Sequence, residues 1–185
     1  MLSAIQIQQL LKTVFGITGN IKPLPGEIDI NYYVVDERNN KYILKIAGPE
    51  EKRENLELQN AFMNHFANKN SGLLISCVVN SISGEAISQL DDNGIKRFVR
   101  LLTWIDGRQF AQANPHTPLL LERLGELCGN LCLALADFDH PAAHRFMKWD
   151  PQQTEWINPH RSKFSGTRKE LVDYFYSLFE NNALP

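Results

Sequence analysis

Residues 26–46 read GEIDINYYVVDERNNKYILKI. Two apolar runs, 31–35 and 41–46, flank the polar knot DERNN. Both alternate and carry Tyr, Val, Ile and Leu, which suit a pleated, half-buried surface. Asn tolerates left-handed backbone geometry, so the knot suits a hairpin turn. The pleat sends Lys41, Ile43 and Lys45 to one face and Tyr42, Leu44 and Ile46 to the other. A lysine is an unusual choice for a half-buried strand. Either Lys45 snorkels from a strand edge, or its ammonium reaches past the strand end to an anion.

Upstream of the first run, GEIDIN has small and polar residues where a hairpin folds over an anion. Gly26, Asn31 and the backbone amides are its candidate binding groups. One glycine is not a G-x-G-x-x-G pattern, and an ordinary turn fits the same residues. Further upstream, MLSAIQIQQLLKTVFGI alternates apolar residues with Gln. It lacks a charged leader region and a cleavage site, and reads as a short amphipathic helix rather than a signal peptide.

Downstream, a helix is predicted over roughly 51–68. Leu56, Phe62, Met63 and Phe66 share one stripe, with Gln59 near its centre. A polar residue on a buried face needs a partner, and Lys45 on the preceding strand is a natural one. Glu57 is electrostatically more attractive but projects almost opposite the stripe. If the helix starts or turns differently, Gln59 falls at a boundary instead. LLISCVVN follows as a short apolar strand, then AISQLDDNGIKRFVRLLTW, whose Asn93-Gly94 signals a second hairpin. The strand ends in a turn, IDGRQF. There Trp104, Ile105 and Asp106 offer adjacent N–H and C=O groups to a flat base, at a connector between two lobes.

The character then becomes helical. Thr117-Pro118 supplies an N-cap and a proline at the first helical position. Leu121, Leu124, Cys128, Leu131 and Leu135 follow at three- and four-residue steps, predicting a buried stripe. Gly125 and Gly129 permit close packing there. Thr167 to Glu170, TRKE, has the pattern of a capping box at the head of a last helix. The order is lead helix, hairpin, helix, strand, hairpin, turn, then helices. The layout is α+β: a small antiparallel sheet with one helix, joined to a helical lobe.

Composition narrows the function classes. The chain has 185 residues, 43% apolar and 22% charged, with a net charge of −2. No basic block suggests a nucleic-acid surface or a polybasic membrane anchor. No run approaches the ~18 apolar residues of a membrane span. Three cysteines cannot build a disulfide framework, and Cys128 and Cys132 read as core packing. A cytoplasmic, reducing location is expected. The five histidines, His65, His116, His140, His144 and His160, show no H-E-x-x-H spacing. Each reads as a surface or capping residue. No G-x-S-x-G and no G-x-x-x-x-G-K-[ST] occurs.

Taken together, LPGEIDINYYV, YILKI, LELQNAFMNHF and RLLTWIDG resemble the N-terminal lobe of the aminoglycoside phosphotransferase and choline kinase-like superfamily, in its hydroxylysine kinase-type branch. LGELCGNLCLALADFDHPAAHRFMKWD is similar to the first large-lobe helix and the Trp-Asp segment after it. The resemblance implies a protein-kinase-like nucleotide-binding lobe over 1–104, and a hinge and incomplete helical lobe over 105–185. It implies ATP as cofactor and Lys45 as the lysine reaching the α- and β-phosphates. Gly26 and Asn31 would lie in the nucleotide loop, and Trp104, Ile105 and Asp106 in the hinge. Gln59 stands where the family's helix glutamate pairs with that lysine, and Glu57 substitutes only if the helix turns.

The resemblance further implies an H-G-D-x-x-x-x-N loop and a later metal-binding Asp, which supply base and metal ligands in phosphoryl transfer. Neither motif occurs in this sequence. The expectation is therefore an N-terminal part of an ATP-dependent kinase, inactive alone, with Mg²⁺ only where the missing part is present. The implied acceptor is a hydroxyl of an amine or amino compound. The alternatives are a non-catalytic nucleotide-binding or interaction module, dimerising through exposed helical faces, and an unrelated α+β protein whose lysine is incidental and points into solvent.

Overall fold

A computed structural model of the chain describes residues 2–69, 72–150 and 152–182. The chain divides into two compact units, Met1–Ala143 and His144–Pro185.

In the first unit, helix α1 (Ala4–Leu10) continues into a π-helical turn, Leu11–Phe15. Ser3 caps α1 and Gln6 reaches back to the Ser3 amide, so two orphan donors are satisfied reciprocally. Six strands follow in one antiparallel sheet: β1 (Gly19–Leu24), β2 (Ile30–Asp36), β3 (Lys41–Ile46), β4 (Val78–Val79), β5 (Ser88–Asp92) and β6 (Ile95–Thr103). Helix α2 (Arg53–Asn68) lies between β3 and β4 in sequence. The order across the sheet is β1-β2-β3-β6-β4, and β5 pairs β6 as well.

Both predicted hairpins form. In the first, Asp36 Oδ1 accepts from the amides of Arg38 and Asn40, and Asn39 takes a positive φ of 64°. The side-chain hydrogen bond from Asn40 lowers the Asp36 pKa. In the second, Asn93 and Gly94 both take positive φ, as a two-residue turn between twisted strands requires. LLISCVVN contributes only Val78–Val79 as strand.

Strand β1 is an addition to the sequence reading. It carries Gly19 and Pro23, which weaken a strand signal. An edge position tolerates both. A Cβ on Gly19 would stand 2.1 Å from the Val35 carbonyl oxygen, so the close approach of β1 to β2 requires glycine there.

One face of the sheet is apolar. Val34, Leu44, Ile46, Val99 and Leu101 are buried against Ile7, Leu10, Leu11 and Phe15. Each such side chain contributes about 1.5–3 kcal/mol through removal from water. On the opposite face the same alternation presents Asn31, Lys45 and Arg100.

Helix α3 (Pro118–Ala134) starts as predicted, with Thr117 accepting from the Leu120 amide and Pro118 in the first turn. Its expected buried stripe is corrected: Leu121, Leu124 and Cys128 are exposed, and Leu131 and Leu135 are half-buried. Cys132 is exposed too, so neither Cys128 nor Cys132 packs in a core. Packing against the rest of the unit is concentrated at the C-terminal end of α3. There His65 Nε2 lies 3.2 Å from the Ala134 carbonyl and 3.1 Å from Asp137 Oδ1, and Phe138 meets Phe62 edge-on.

In the second unit a 3-10 stretch, Thr154–Lys163, precedes helix α4 (Gly166–Asn182). Asp173 accepts from Arg161 and Lys169, and the Arg161 guanidinium lies 4.5 Å from the Tyr176 ring. Thr167 is inside α4, one residue past its start, so the predicted capping box at Thr167 does not define the helix end.

Candidate functional site

Register assembles the site. Asn31 on β2 stands directly opposite Lys45 on β3, and Lys45 stands directly opposite Arg100 on β6. Side chains opposed in a ladder share a face. Three polar groups therefore form a row across the sheet, on the side away from the apolar core.

The loop between β1 and β2 closes over one end of this row. Lys45 Nζ lies 3.1 Å from Asp29 Oδ2 and donates to Asn31 Oδ1 at 3.1 Å. The Lys45 and Asp29 side chains are 23% and 25% exposed, so the pair is half-buried. Lys45 thus does not point into open solvent, as an incidental lysine would. Asn31 is itself buried, and its amide donates to the Pro25 and Asp29 carbonyls at 3.4 Å each. A Cβ at Gly26 would meet the Asp29 carbonyl oxygen at 2.1 Å and Asn31 Nδ2 at 2.6 Å. Only glycine allows the loop to turn this tightly. Asn31, predicted from GEIDIN, is thus brought to Lys45, and Gly26 lies against Asp29 and Asn31. Asp29, from the same stretch, was not singled out.

The expected Lys45–Gln59 hydrogen bond is corrected. Gln59 Oε1 accepts from Arg100 Nη2 at 2.5 Å, while Arg100 Nη1 donates to Asn60 Oδ1 at 2.8 Å and to the Leu56 carbonyl at 3.4 Å. Arg100 is 2% exposed. Burial lowers its pKa, and the negative charges of Asp29 and Glu51 oppose that shift. The centre of the buried α2 stripe is Asn60, flanked by Leu56, Met63 and Phe66. Gln59 did need a partner, and the guanidinium fork on β6 supplies it. Glu57 lies on the outer side and pairs with Arg53 at 2.8 Å, one helical turn away. The structure does not bring Glu57 to Lys45.

Beyond β6, the Trp104 amide donates to the Lys41 carbonyl at 3.0 Å, which extends the β3–β6 ladder by one step. The Trp104 ring meets Tyr33 edge-on, 4.8 Å between centroids. Asp106 pairs with Lys41 Nζ at 2.7 Å, and that hydrogen bond raises the Lys41 pKa. Ile105 between them is exposed. Trp104 and Asp106 are therefore tied to β3, with Lys41 four residues before Lys45 on the same face. Trp104 is the part of the predicted hinge whose N–H is already engaged.

Of the histidines, His65 joins α2 to the end of α3 as described, and His116 stacks on Phe110. His140 Nδ1 accepts from the Ala142 amide. Among the described residues, no group of three His, Cys, Asp or Glu side chains is placed to hold a metal ion. No helix among them is long and apolar enough to cross a membrane.

Known proteins share both sequence and fold with this chain. The profile of the phosphotransferase enzyme family matches residues 20–177. Hydroxylysine kinase of Xenopus laevis is 28% identical over 202 residues, covering 100% of this chain and 53% of that protein. Hydroxylysine kinase of Danio rerio is 28% identical over 147 residues, covering 76% and 41%. Amicoumacin kinase hAmiN, solved with AMP-PNP, Ca²⁺ and Ami, superposes with a TM-score of 0.69 at 15% identity. It covers 95% of this chain and 54% of that one. The microcompartment-associated aminopropanol kinase gives 0.65 at 17%, covering 86% and 49%. The chain spans about half the length of the curated relatives it matches.

Proposed function

Because this chain belongs to the phosphotransferase enzyme family, a family of small-molecule kinases, we propose that its Lys45 face is the phosphate side of an ATP site. The observation that carries the reading is the half-buried Lys45 ammonium. It is set at the strand end, between the tight Gly26–Asn31 loop and the Arg100–α2 junction. In this reading Lys45 takes the α- and β-phosphates, and Gly26 and Asn31 shape the loop above them. The adenine lies against Trp104, Ile105 and Asp106. Gln59 acts at one remove by holding Arg100. Glu57, on the outer side of α2, contributes nothing to the nucleotide.

Residues 1–104 are then the nucleotide lobe, and 105–185 the hinge and first helices of the large lobe. Phosphoryl transfer also needs a group to orient the acceptor hydroxyl and cations to neutralise the phosphate oxygens. The described residues offer no metal ligand set, and the sequence holds no H-G-D-x-x-x-x-N segment. The reading therefore gives these 185 residues nucleotide positioning without turnover of their own. The hydroxylysine kinase and aminopropanol kinase likenesses support a hydroxylated amine or amino compound as the acceptor of the whole kinase.

The test is titration of the chain with ADP. Saturable binding that is lost on Lys45→Ala supports the reading, and no binding at millimolar ADP overturns it.

A second reading, an interaction module, is favoured by the exposed apolar residues of α3 and α4. Leu121 is 50% and Phe175 61% exposed. Apolar faces of that kind mark contact surfaces. A stable dimer that binds no nucleotide is the outcome that selects it.

A further inference from the structure

We propose that Asp29 is a built-in counter-ion that a phosphate must displace from Lys45, so that the Gly26–Asn31 loop sets the affinity for phosphate-bearing ligands. This rests on the nucleotide reading above. An ammonium has three N–H donors. In the structure Asp29 Oδ2 and Asn31 Oδ1, each 3.1 Å from Nζ, occupy the surroundings of Lys45. A phosphate oxygen using the remaining donor would sit close to the Asp29 carboxylate, in a half-buried setting where like charges repel strongly.

The loop is built to deliver that carboxylate. The Asp29 carbonyl is held by Asn31 Nδ2, and Asn31 is fixed opposite Lys45 by strand register. The Asp29 carbonyl also fills the space that a Cβ on Gly26 would need. Ile28, next to Asp29, lies over Gly48, its Cγ2 standing where a side chain there would begin, while most of the Ile28 side chain stays exposed. The Asn31 hydrogen bond and the close approach of Gly26 thus both hold the Asp29 backbone. The carboxylate does not reach Lys45 by chance rotation of a free loop.

Displacement separates two ligand classes. A nucleoside makes no demand on Lys45, so Asp29 stays in place and does not affect it. A nucleotide competes with Asp29 for the ammonium. Neutralising Asp29 removes the competitor while Asn31 continues to hold the lysine.

The experiment titrates ADP and adenosine separately into the 185-residue chain by calorimetry. The proteins are the native chain, Asp29→Asn, Asp29→Glu and Lys45→Ala. Asp29→Asn is expected to bind ADP about tenfold more tightly, the scale of one nearby charge. Adenosine affinity is unchanged, and Asp29→Glu keeps the native preference. Asp29→Ser, also compatible with a turn, gives the same readout if the Asn variant fails to fold. ADP binding that is unchanged or weaker in the neutral variants overturns the proposal and leaves the nucleotide reading standing. ADP binding indifferent to Lys45→Ala, or no binding of either ligand to any variant, overturns both.

Discussion

Arg100 Nη2 donates to Gln59 Oε1 at 2.5 Å, and this contact fastens the interior strand β6 to helix α2. The other terminal nitrogen, Nη1, holds Asn60, which is also buried. All the acceptors on α2 are neutral, so no full counter-charge there offsets the burial that lowers the Arg100 pKa. Removing the guanidinium would leave Asn60 unsatisfied and a cavity under α2. Arg100→Ala is expected to lower unfolding stability by about 3 kcal/mol. Arg100→Lys is expected to recover only part, because an ammonium lacks the fork that meets two acceptors. Urea denaturation of the three proteins checks both statements.

Gly26 is set by contact rather than by dihedral freedom. Its missing Cβ would lie 2.1 Å from a backbone oxygen, and a backbone atom cannot swing aside as a side-chain tip can. Gly26→Ala is expected to cost about 1–3 kcal/mol and to open the loop. Amide hydrogen exchange over residues 26–31 should accelerate in the variant, while exchange in β3 and β6 should hardly change.

The junction between α2 and α3 is sensitive to acid. Lys69 hydrogen-bonds Asp137 and lowers the carboxyl pKa, with His65 adding to the same effect. A carboxylate whose folded pKa is depressed contributes stability that is fully present above its unfolded value, about 3.9. That contribution is lost as pH falls through the lower folded value. Melting temperatures of the native chain and Asp137→Asn should therefore differ at neutral pH and converge below about pH 4. A gap that persists at low pH would show that the carboxylate charge is not the cause.

The exposed face of α3 gives a different expectation. Leu121 is already half in water, so Leu121→Glu should change monomer stability by less than about 0.5 kcal/mol. The same change should weaken any self-association through that face. Sedimentation velocity over a range of concentrations measures it, against urea denaturation of the same variant.

Local pattern was enough for much of the N-terminal sheet. Alternation in 31–35 and 41–46, and the Asn93-Gly94 turn, predicted strands and hairpins that form with little change in boundary. Edge strand β1 was illegible because its glycine and proline answer a close approach and an edge position, neither of which is local. The α3 stripe was read correctly as apolar and helical. Its exposure was not legible, because periodicity reports which residues share a face and not what meets that face.

The sequence by itself determined that Lys45 leaves the apolar core side of β3, because the pleat has period two. It also determined that a polar group on α2 must find a partner. Which cation that partner would be was decided only in the folded sheet. Strand order puts β6 beside β3, register sets Arg100 opposite Lys45, and the longer guanidinium takes Gln59 and Asn60. Lys45 is left to Asp29 and Asn31, on a loop closed by Gly26. Pairing across strands joins residues far apart in the chain, and no local pattern encodes which of two nearby cations a helix will meet.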